Sequence, residues 1–380
     1  MRIAFVSDVV YPYVKGGVEA TEASEMQALA KLHDVYCISL RFEGMAPAFT
    51  RRGVHYIGVA PASTGSLYRN GRRSVALARS FAKGLAAGLA GRRFDVIQAN
   101  AFPFLHLGAV KAYCRRTNCR LILDVSEVWS LQRWIGYMGQ VRGRAAYYYM
   151  RSALKGADHY IANSSSTKAD LVSIGISPGR VSVFSPVLDG ALLKGAGTRG
   201  GSARSSSVIF SGRLIPEKRI GLWLEAVAAA RRLNPQIAGT IIGEGPEVPN
   251  AKGLISKLGL SGSVRLLPFL KTKKELYLKM ARSGLFLQTS SREGLSAIVL
   301  ESLALGTPVL LPDDTPIPEE VKRLCEVAPI ASLHKRIADI LSSDRRRHLP
   351  ARSELRRFST SAILPFYRKL FAGLGINTHE

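Results

Sequence analysis

The stretch "SGRLIPEK", residues 211–218, sets Arg213 and Lys218 on either side of a Leu-Ile-Pro turn, directly after the apolar run Val208-Ile209-Phe210. Where a strand gives way to a helix, N–H groups point out of the helix N-terminus, and fixed cations beside them suit a diphosphate. A solvated basic turn is the plainer reading of the same pair. Further on, "SSREGLSAIVLES" carries Glu293 and Glu301. On one helix they would lie about 80° apart in azimuth and roughly 12 Å apart along the axis, too far for one small group to bridge. With Glu293 in the loop before a helix and Glu301 inside it, the two would touch different parts of one elongated ligand. A carboxylate accepts two hydroxyl hydrogen bonds, so sugar and ribose hydroxyls are natural partners. A surface position is the alternative for Glu301, although Val299, Leu300, Leu303 and Leu305 make its surroundings apolar.

Near the start, Gly16-Gly17 in "YPYVKGGVEATEASEMQAL" falls between a strand-like run and a helical pattern. A Gly pair lets backbone approach a phosphate with no Cβ in the way, and it is also a common turn. It is not the dinucleotide fingerprint, whose third Gly is missing. His106, in "FPFLHLG", reads as a packed core histidine.

The elements that must position these residues follow a regular rhythm. "RIAFVS", a helix from Glu19 to Leu32, "DVYCISL", a basic helix around Ser74 to Ala90, "DVIQAN" and "RLILDVS" alternate as βαβ units do. After "DGALLKGAGTRGGSARSSS" the pattern restarts with "SVIFSG", a helix from about Ile220 to Leu233, "AGTIIGEG", a helix around Lys252 to Leu258, "SVRLLPF", "GLFLQTS", a helix from about Ser296 to Leu305, and "TPVLL". The expected class is α/β, with two Rossmann-like parallel-sheet domains facing each other across a cleft. They would cover residues 1–190 and 207–350, with a Gly/Ser/Arg-rich linker at 191–206 and a C-terminal helix within 351–380 packing back on the first domain.

Composition agrees with two cores: 380 residues, of which 47% are apolar. Lys and Arg outnumber Asp and Glu 53 to 28, a net charge of +25, so an anionic partner is expected: phosphorylated metabolite, membrane surface or nucleic acid. The segment from Gly44 to Phe94 holds Arg51, Arg52, Arg69, Arg72, Arg73, Arg79, Lys83, Arg92 and Arg93 with no acidic residue. From Val128 to Ala157, Arg133, Arg142, Arg144, Arg151 and Lys155 interleave with Trp129, Trp134, Tyr137 and Tyr147 to Tyr149. That composition suits an anionic lipid interface, a nucleic-acid surface, or a basic helix whose aromatics are core. The four cysteines form no CxxC pair, and the first residues lack a secretory h-region, so a cytoplasmic protein is expected, peripheral at most on the inner face of a membrane.

Together "KGGVE", "SGRLIPEK", "IIGEGPE" and "REGLSAIVLESLALGTPVL" resemble glycosyltransferase family 4, retaining enzymes of the GT-B fold that use nucleotide-diphospho-sugars. The resemblance implies that Arg213 and Lys218 hold the donor diphosphate, Glu293 the sugar hydroxyls and Glu301 the ribose. It further implies a phosphate cradle from Gly16, Gly17 and the backbone of Gly294, Leu295, Ser296, Ala297 and Ile298, with Gly243, Glu244, Gly245 and Pro246 walling the nucleotide pocket. Fixed cations at a departing diphosphate act most in the transition state. No metal is then expected, and the chain has no Asp-x-Asp and no HExxH.

The first half departs from the family pattern. Where many members have histidines, this chain reads "DVIQAN", with Asn100, and "LDVSEVW", with Asp124 and Glu127. Asp124 or Glu127 could orient or deprotonate an acceptor hydroxyl, or cap the following helix. The activity implied is transfer of a hexose-type sugar from a UDP- or GDP-sugar to a lipid-linked or glycan acceptor, in cell-envelope polysaccharide or glycolipid synthesis, with no cofactor and no specific nucleic acid. A sugar-nucleotide epimerase, a basic nucleic-acid-binding protein and a degenerate sugar-binding relative remain open alternatives.

Overall fold

Strands built from near-continuous apolar runs are buried on both faces, the mark of parallel sheets covered by helices on either side. The computed structural model describes residues 1–14, 16–69, 72–195 and 206–376. The chain divides into unit 1, residues 1–187 with the segment from Thr360 onward, and unit 2, Leu188 to Ser359.

In chain order, unit 1 contains β1 (Arg2–Val6), α1 (Gly17–Leu29), β2 (Asp34–Phe42), β3 (Ala48–Arg51), β4 (Val54–Ala62), the short β5 (Tyr68–Arg69) and β6 (Arg72–Arg73), and α2 (Val75–Leu89). It continues with β7 (Val96–Asn100), α3 (Leu107–Thr117), β8 (Arg120–Val125), α4 (Leu131–Met138), α5 (Gln140–Leu154), β9 (His159–Ala162), α6 (Ser165–Ser173) and β10 (Val181–Val183). The sheet order is β10-β9-β8-β7-β1-β2-β4-β3, parallel throughout except where β3 and β4 form an edge hairpin. The periodicity reading had no strand for this hairpin. Its two-residue loop, Arg52-Gly53, has φ of 51° and 79°, the both-positive geometry of a hairpin turn that Asn-Gly usually announces.

Unit 2 contains α7 (Gly190–Gly195), β11 (Ser207–Ser211), α8 (Ile220–Leu233), β12 (Ala238–Ile242), α9 (Val248–Lys257), β13 (Val264–Leu267), α10 (Lys273–Arg282) and β14 (Leu285–Leu287). Then come α11 (Ala297–Ala304), β15 (Val309–Pro312), α12 (Glu319–Lys322), β16 (Glu326–Ala328), α13 (Leu333–Ser342) and α14 (Arg352–Arg356). All neighbours in the order β13-β12-β11-β14-β15-β16 run parallel. Helix α8 buries Ile220, Trp223, Leu224, Val227 and Ala230 at helical spacing. Gly239 of β12 makes room for the Trp223 ring, which a Cβ there would meet at 2.9 Å.

Of the expected linker, 191–195 finish α7, and 196–205 lie outside the described residues. The C-terminal stretch divides. Helix α14 belongs to unit 2, whereas α15 (Ile363–Gly373) packs against α1 in unit 1, burying Ile363, Tyr367, Leu370 and Phe371.

The strand order places the site. In unit 2 it reverses between β11 and β14, and ligands of open α/β sheets lie beyond the carboxyl ends of strands at such a point. The corresponding point in unit 1 lies between β1 and β7.

Candidate active site

β11 ends at Ser211 and leads through Gly212, Arg213 and Leu214 into a 3-10 turn, Pro216–Lys218, before α8. Its neighbour β14 ends at Leu287 and leads through Gln288 to Glu293 and on to α11. These two connections are tied together. The Lys218 ammonium donates to Glu293 Oε1, and Gln288 Nε2 donates to the same oxygen. The Ser291 N–H donates to the Glu217 carbonyl at 2.8 Å, and the Thr289 hydroxyl to the Lys218 carbonyl at 2.9 Å. The Lys218 and Glu293 side chains retain 19% and 9% of their exposure, so the ion pair is largely withdrawn from water.

Arg213 is exposed; its carbonyl accepts from the Ile215 N–H at 3.1 Å, and among the described residues its side chain has no hydrogen-bond or ion-pair partner. The structure thus joins Lys218 to Glu293 and leaves the Arg213 guanidinium free. Its loop is backed by the Gly243–Pro246 segment. Leu214 N–H donates to the Glu244 carbonyl at 2.8 Å, and Glu247 N–H returns to the Leu214 carbonyl at 3.0 Å. A Cβ on Gly243 would stand 1.9 Å from the Gly212 carbonyl oxygen, and one on Gly245, at φ +149°, 2.2 Å from that of Leu214. These glycines allow two backbones to touch, while the Glu244 and Pro246 side chains face solvent.

Gly294 opens on empty space, Leu295 is buried, and Ser296 precedes α11 at φ 55° with a buried hydroxyl that has no hydrogen-bond partner among the described residues. Ala297 and Ile298 begin the helix, where N–H groups lack intrahelical acceptors. Glu301 lies further along α11 and is buried, not a surface residue. Its Oε1 accepts from the Tyr277 hydroxyl at 2.7 Å and from the Lys273 ammonium at 3.2 Å, both on α10. Burial and the adjacent Glu301 charge hold the Tyr277 phenol well above its usual range.

In unit 1, Gly16 is extended and precedes α1, with the flexible Glu19 carboxylate folded over the place a Cβ would take; Gly17 opens on empty space. Asp8, just past β1, pairs with Arg73 at 2.5 Å; burial raises its pKa against the pull of that cation. Asp124 is half-buried at the end of β8, its pKa raised to about 7 by burial. Glu127 is exposed and bonded to Arg133 at 2.7 Å. Neither caps α4, whose cap is the Ser130 hydroxyl accepting from Arg133 N–H. His106 is fully buried with a pKa lowered to about 4 by burial, and its Nε2 stands 2.9 Å from the Asn100 carbonyl.

Sequence reasoning missed a buried polar cluster in unit 1. Glu22 and Glu25 of α1 meet Asn100 and Gln98 of β7, and Tyr367 of α15 bonds both Glu25 and Gln98. A signal existed: Glu22 and Glu25 sit between Ala23, Met26 and Leu29, on the face that α1 buries. Also missed were Arg219, Gln288 and Tyr277, which hold the Lys218, Glu293 and Glu301 region together and carry no motif of their own.

Elsewhere in unit 2, Ser343, His348 and Glu326 form a hydrogen-bonded chain of 2.6 and 2.7 Å. The Ser343 hydroxyl donates to the Ile340 carbonyl at the carboxyl end of α13. It is oriented as a structural link, not as a nucleophile awaiting a base. Among the described residues no group of three His, Cys, Asp or Glu is placed to share a metal ion.

Comparison with known proteins agrees with this architecture. Residues 202–356 match the family "Glycosyl transferases group 1" and residues 15–190 match "Glycosyltransferase Family 4". The lipopolysaccharide core biosynthesis glycosyltransferase LpsE of Rhizobium meliloti is 35% identical over 103 residues, 27% of this chain and 28% of LpsE. Matched stretches span from 19% to 43% of the curated relatives' lengths. Among solved structures, the lipopolysaccharide outer core galactosyltransferase WaaB superposes with a TM-score of 0.66 at 16% identity, over 98% of this chain and 100% of that one. Anabaena HepE in complex with UDP gives 0.68 at 16% identity, over the same shares. At such identities the likeness speaks for the fold, which is GT-B. Two family matches covering most of the chain, on two parallel-sheet units of that fold, place the protein in glycosyltransferase family 4.

Proposed function

We propose that the protein is a retaining glycosyltransferase that moves a hexose-type sugar from a UDP-sugar, with a GDP-sugar as the alternative donor, to a lipid-linked or glycan acceptor of the cell envelope. The observation that carries this reading is the Lys218–Glu293 ion pair at the switch point, on the same connection between β11 and α8 that carries the exposed Arg213. When a diphosphate arrives, the Lys218 ammonium exchanges one carboxylate oxygen for phosphate oxygens, and Glu293 is released to accept sugar hydroxyls. The bond from the anomeric carbon to the diphosphate oxygen breaks with its electron pair on the leaving oxygen, and Lys218 and Arg213 stabilise that charge without a metal. The acceptor oxygen bonds the anomeric carbon on the face the diphosphate leaves. Asp124, with a pKa near neutrality, is suited to take the acceptor proton. Glu301, held by Tyr277, is suited to the ribose. The presence of UDP in HepE, and the lipopolysaccharide roles named for LpsE and WaaB, support the choice of donor and of acceptor class.

The surface of unit 1 supports an anionic membrane partner. Val141, Tyr148 and Tyr149 are exposed on α5 at 80%, 61% and 45%, among the exposed Arg142, Arg144 and Lys155. Trp129, Trp134 and Tyr137 pack on one another and on the core, so they are not part of that surface. Among the described residues no helix is long and apolar enough to cross a membrane. The test is a screen of nucleotide sugars for thermal stabilisation, followed by proton NMR of the product. A UDP-sugar should raise the melting temperature and give a product of unchanged anomeric configuration. Inversion, or turnover of the donor to an epimer with no acceptor present, would overturn the reading.

A further inference from the structure

Arg219 follows the 3-10 turn and precedes α8 at φ 47° and ψ 49°, a left-handed conformation that L side chains avoid. A residue at such a position is ordinarily there for the turn alone, and Gly would serve better. Here the side chain is engaged at every donor group. Nε donates to the Thr289 carbonyl at 2.5 Å, and Nη2 to the Ser290 carbonyl at 3.3 Å. Nη1 and Nη2 together grip the Asp314 carboxylate, just past β15, at 2.6 and 2.8 Å. One guanidinium therefore spans the carboxyl-end connections of three adjacent strands, β11, β14 and β15.

Those connections are the ones that carry the candidate chemistry. Thr289 returns the contact by donating to the Lys218 and Arg219 carbonyls at 2.9 and 3.3 Å, and Ser291 N–H donates to Glu217. Gln288 and Glu293 lie on either side of the two carbonyls that Arg219 holds. Only the planar fork of Arg can serve carbonyls and a carboxylate at once; the Lys ammonium is a point charge on a flexible stem.

We propose that Arg219 is a positioning residue, a clamp that holds the Glu293 loop against the Lys218 turn so that the two side chains meet the donor diphosphate and sugar in one fixed arrangement. The proposal rests on the donor reading above. Its left-handed backbone is the cost of aiming that side chain across the strand ends, and removing the guanidinium frees the loop even where the backbone is relaxed.

The test compares Arg219→Gly, Arg219→Ala and Arg219→Lys with wild type in UDP affinity by calorimetry. Loss of charged hydrogen bonds to the loop should weaken UDP roughly tenfold or more in all three. Asp314→Asn, which keeps the guanidinium and its carbonyl contacts, should fall between. Arg336→Met breaks another ion pair of the same unit, with Glu326, and should leave UDP affinity at the wild-type value. Arg219→Gly with wild-type affinity would overturn the proposal, because the residue would then be only a turn former. Should UDP fail to bind wild type, the donor reading falls and hydrogen exchange decides the clamp. In Arg219→Gly the Ser291 amide should exchange at least about tenfold faster, while the Ile241 amide in the core of β12 is unchanged. An unchanged Ser291 amide would overturn the clamp.

Discussion

The Tyr367 hydroxyl stands 2.9 Å from Glu25 Oε2 and 2.7 Å from Gln98 Oε1, so α15 and α1 meet on one buried phenol. A phenol has a single hydrogen, and Gln98 Oε1 can only accept it. A proton on the Glu25 carboxyl completes the second contact. Burial, with the Asp124 charge adding to it, raises the Glu25 pKa to about 8 and favours that proton.

Stability should therefore depend on pH in a definite direction. Folded Glu25 keeps its proton up to about 8, and the unfolded chain releases it near 4.5. Across that window the folded state binds more protons, so this contribution is whole below about 4.5 and is lost as pH rises through about 8. Asp124, raised to about 7, acts in the same sense. Glu25→Gln keeps a hydrogen donor and removes the titration. Its melting temperature should fall less than that of wild type between about pH 6 and about pH 9. Parallel falls would contradict the buried proton.

The pair also shows what the sequence could disclose. Alternating apolar runs disclosed most of the parallel strands, though not β4 or β16, because a strand buried on two faces is largely apolar, and the motifs after β11 and β14 lay where a switch point needs them. Glu22 and Glu25 were hidden by their type: charged residues on a helix read as its wet side until the register of Ala23, Met26 and Leu29 is followed. Tyr367 could not be joined to Glu25 by any local pattern, being 342 residues away. Arg219 and Asp314 are likewise partners across 95 residues. Arg52-Gly53 escaped because its turn uses a left-handed Arg where Asn is the usual signal.

Backbone contact behind the Arg213 loop should make Gly243 intolerant of substitution. Gly243→Ala forces a methyl against the Gly212 carbonyl and should cost about 1–3 kcal/mol, read from urea denaturation. Gly294→Ala meets nothing within 4 Å and should remain within about 0.5 kcal/mol of wild type. Equal losses at both positions would show that the close approach of the two loops is not what matters.

Glu301 presents Oε1 to Tyr277 and Lys273, and among the described residues Oε2 has no hydrogen-bond partner, which leaves it for a ligand hydroxyl. Glu301→Ala should weaken UDP about tenfold and weaken 2′-deoxyuridine diphosphate less, since the deoxy ligand has one hydroxyl fewer to lose. Equal losses for the two would take the ribose away from Glu301.

Charge reversal on α5 tests the membrane surface. Arg142→Glu with Arg144→Glu should reduce sedimentation with vesicles of phosphatidylglycerol, and about 0.5 M salt should reduce that of wild type. Binding indifferent to both changes would mean that the basic face has another partner.

The proposed transfer depends on a diphosphate bound at the carboxyl ends of β11 and β14. Calorimetric titration of UDP into wild type, Arg213→Ala and Lys218→Ala tests it most directly. Each substitution should weaken UDP at least about tenfold, since each removes a charged contact to phosphate. The melting temperature of the free protein should be little changed in Arg213→Ala, whose side chain is exposed, and lowered in Lys218→Ala, which leaves the Glu293 carboxylate buried without its cation. UDP bound with equal affinity by all three proteins would contradict the assignment of these cations and the proposed activity with it.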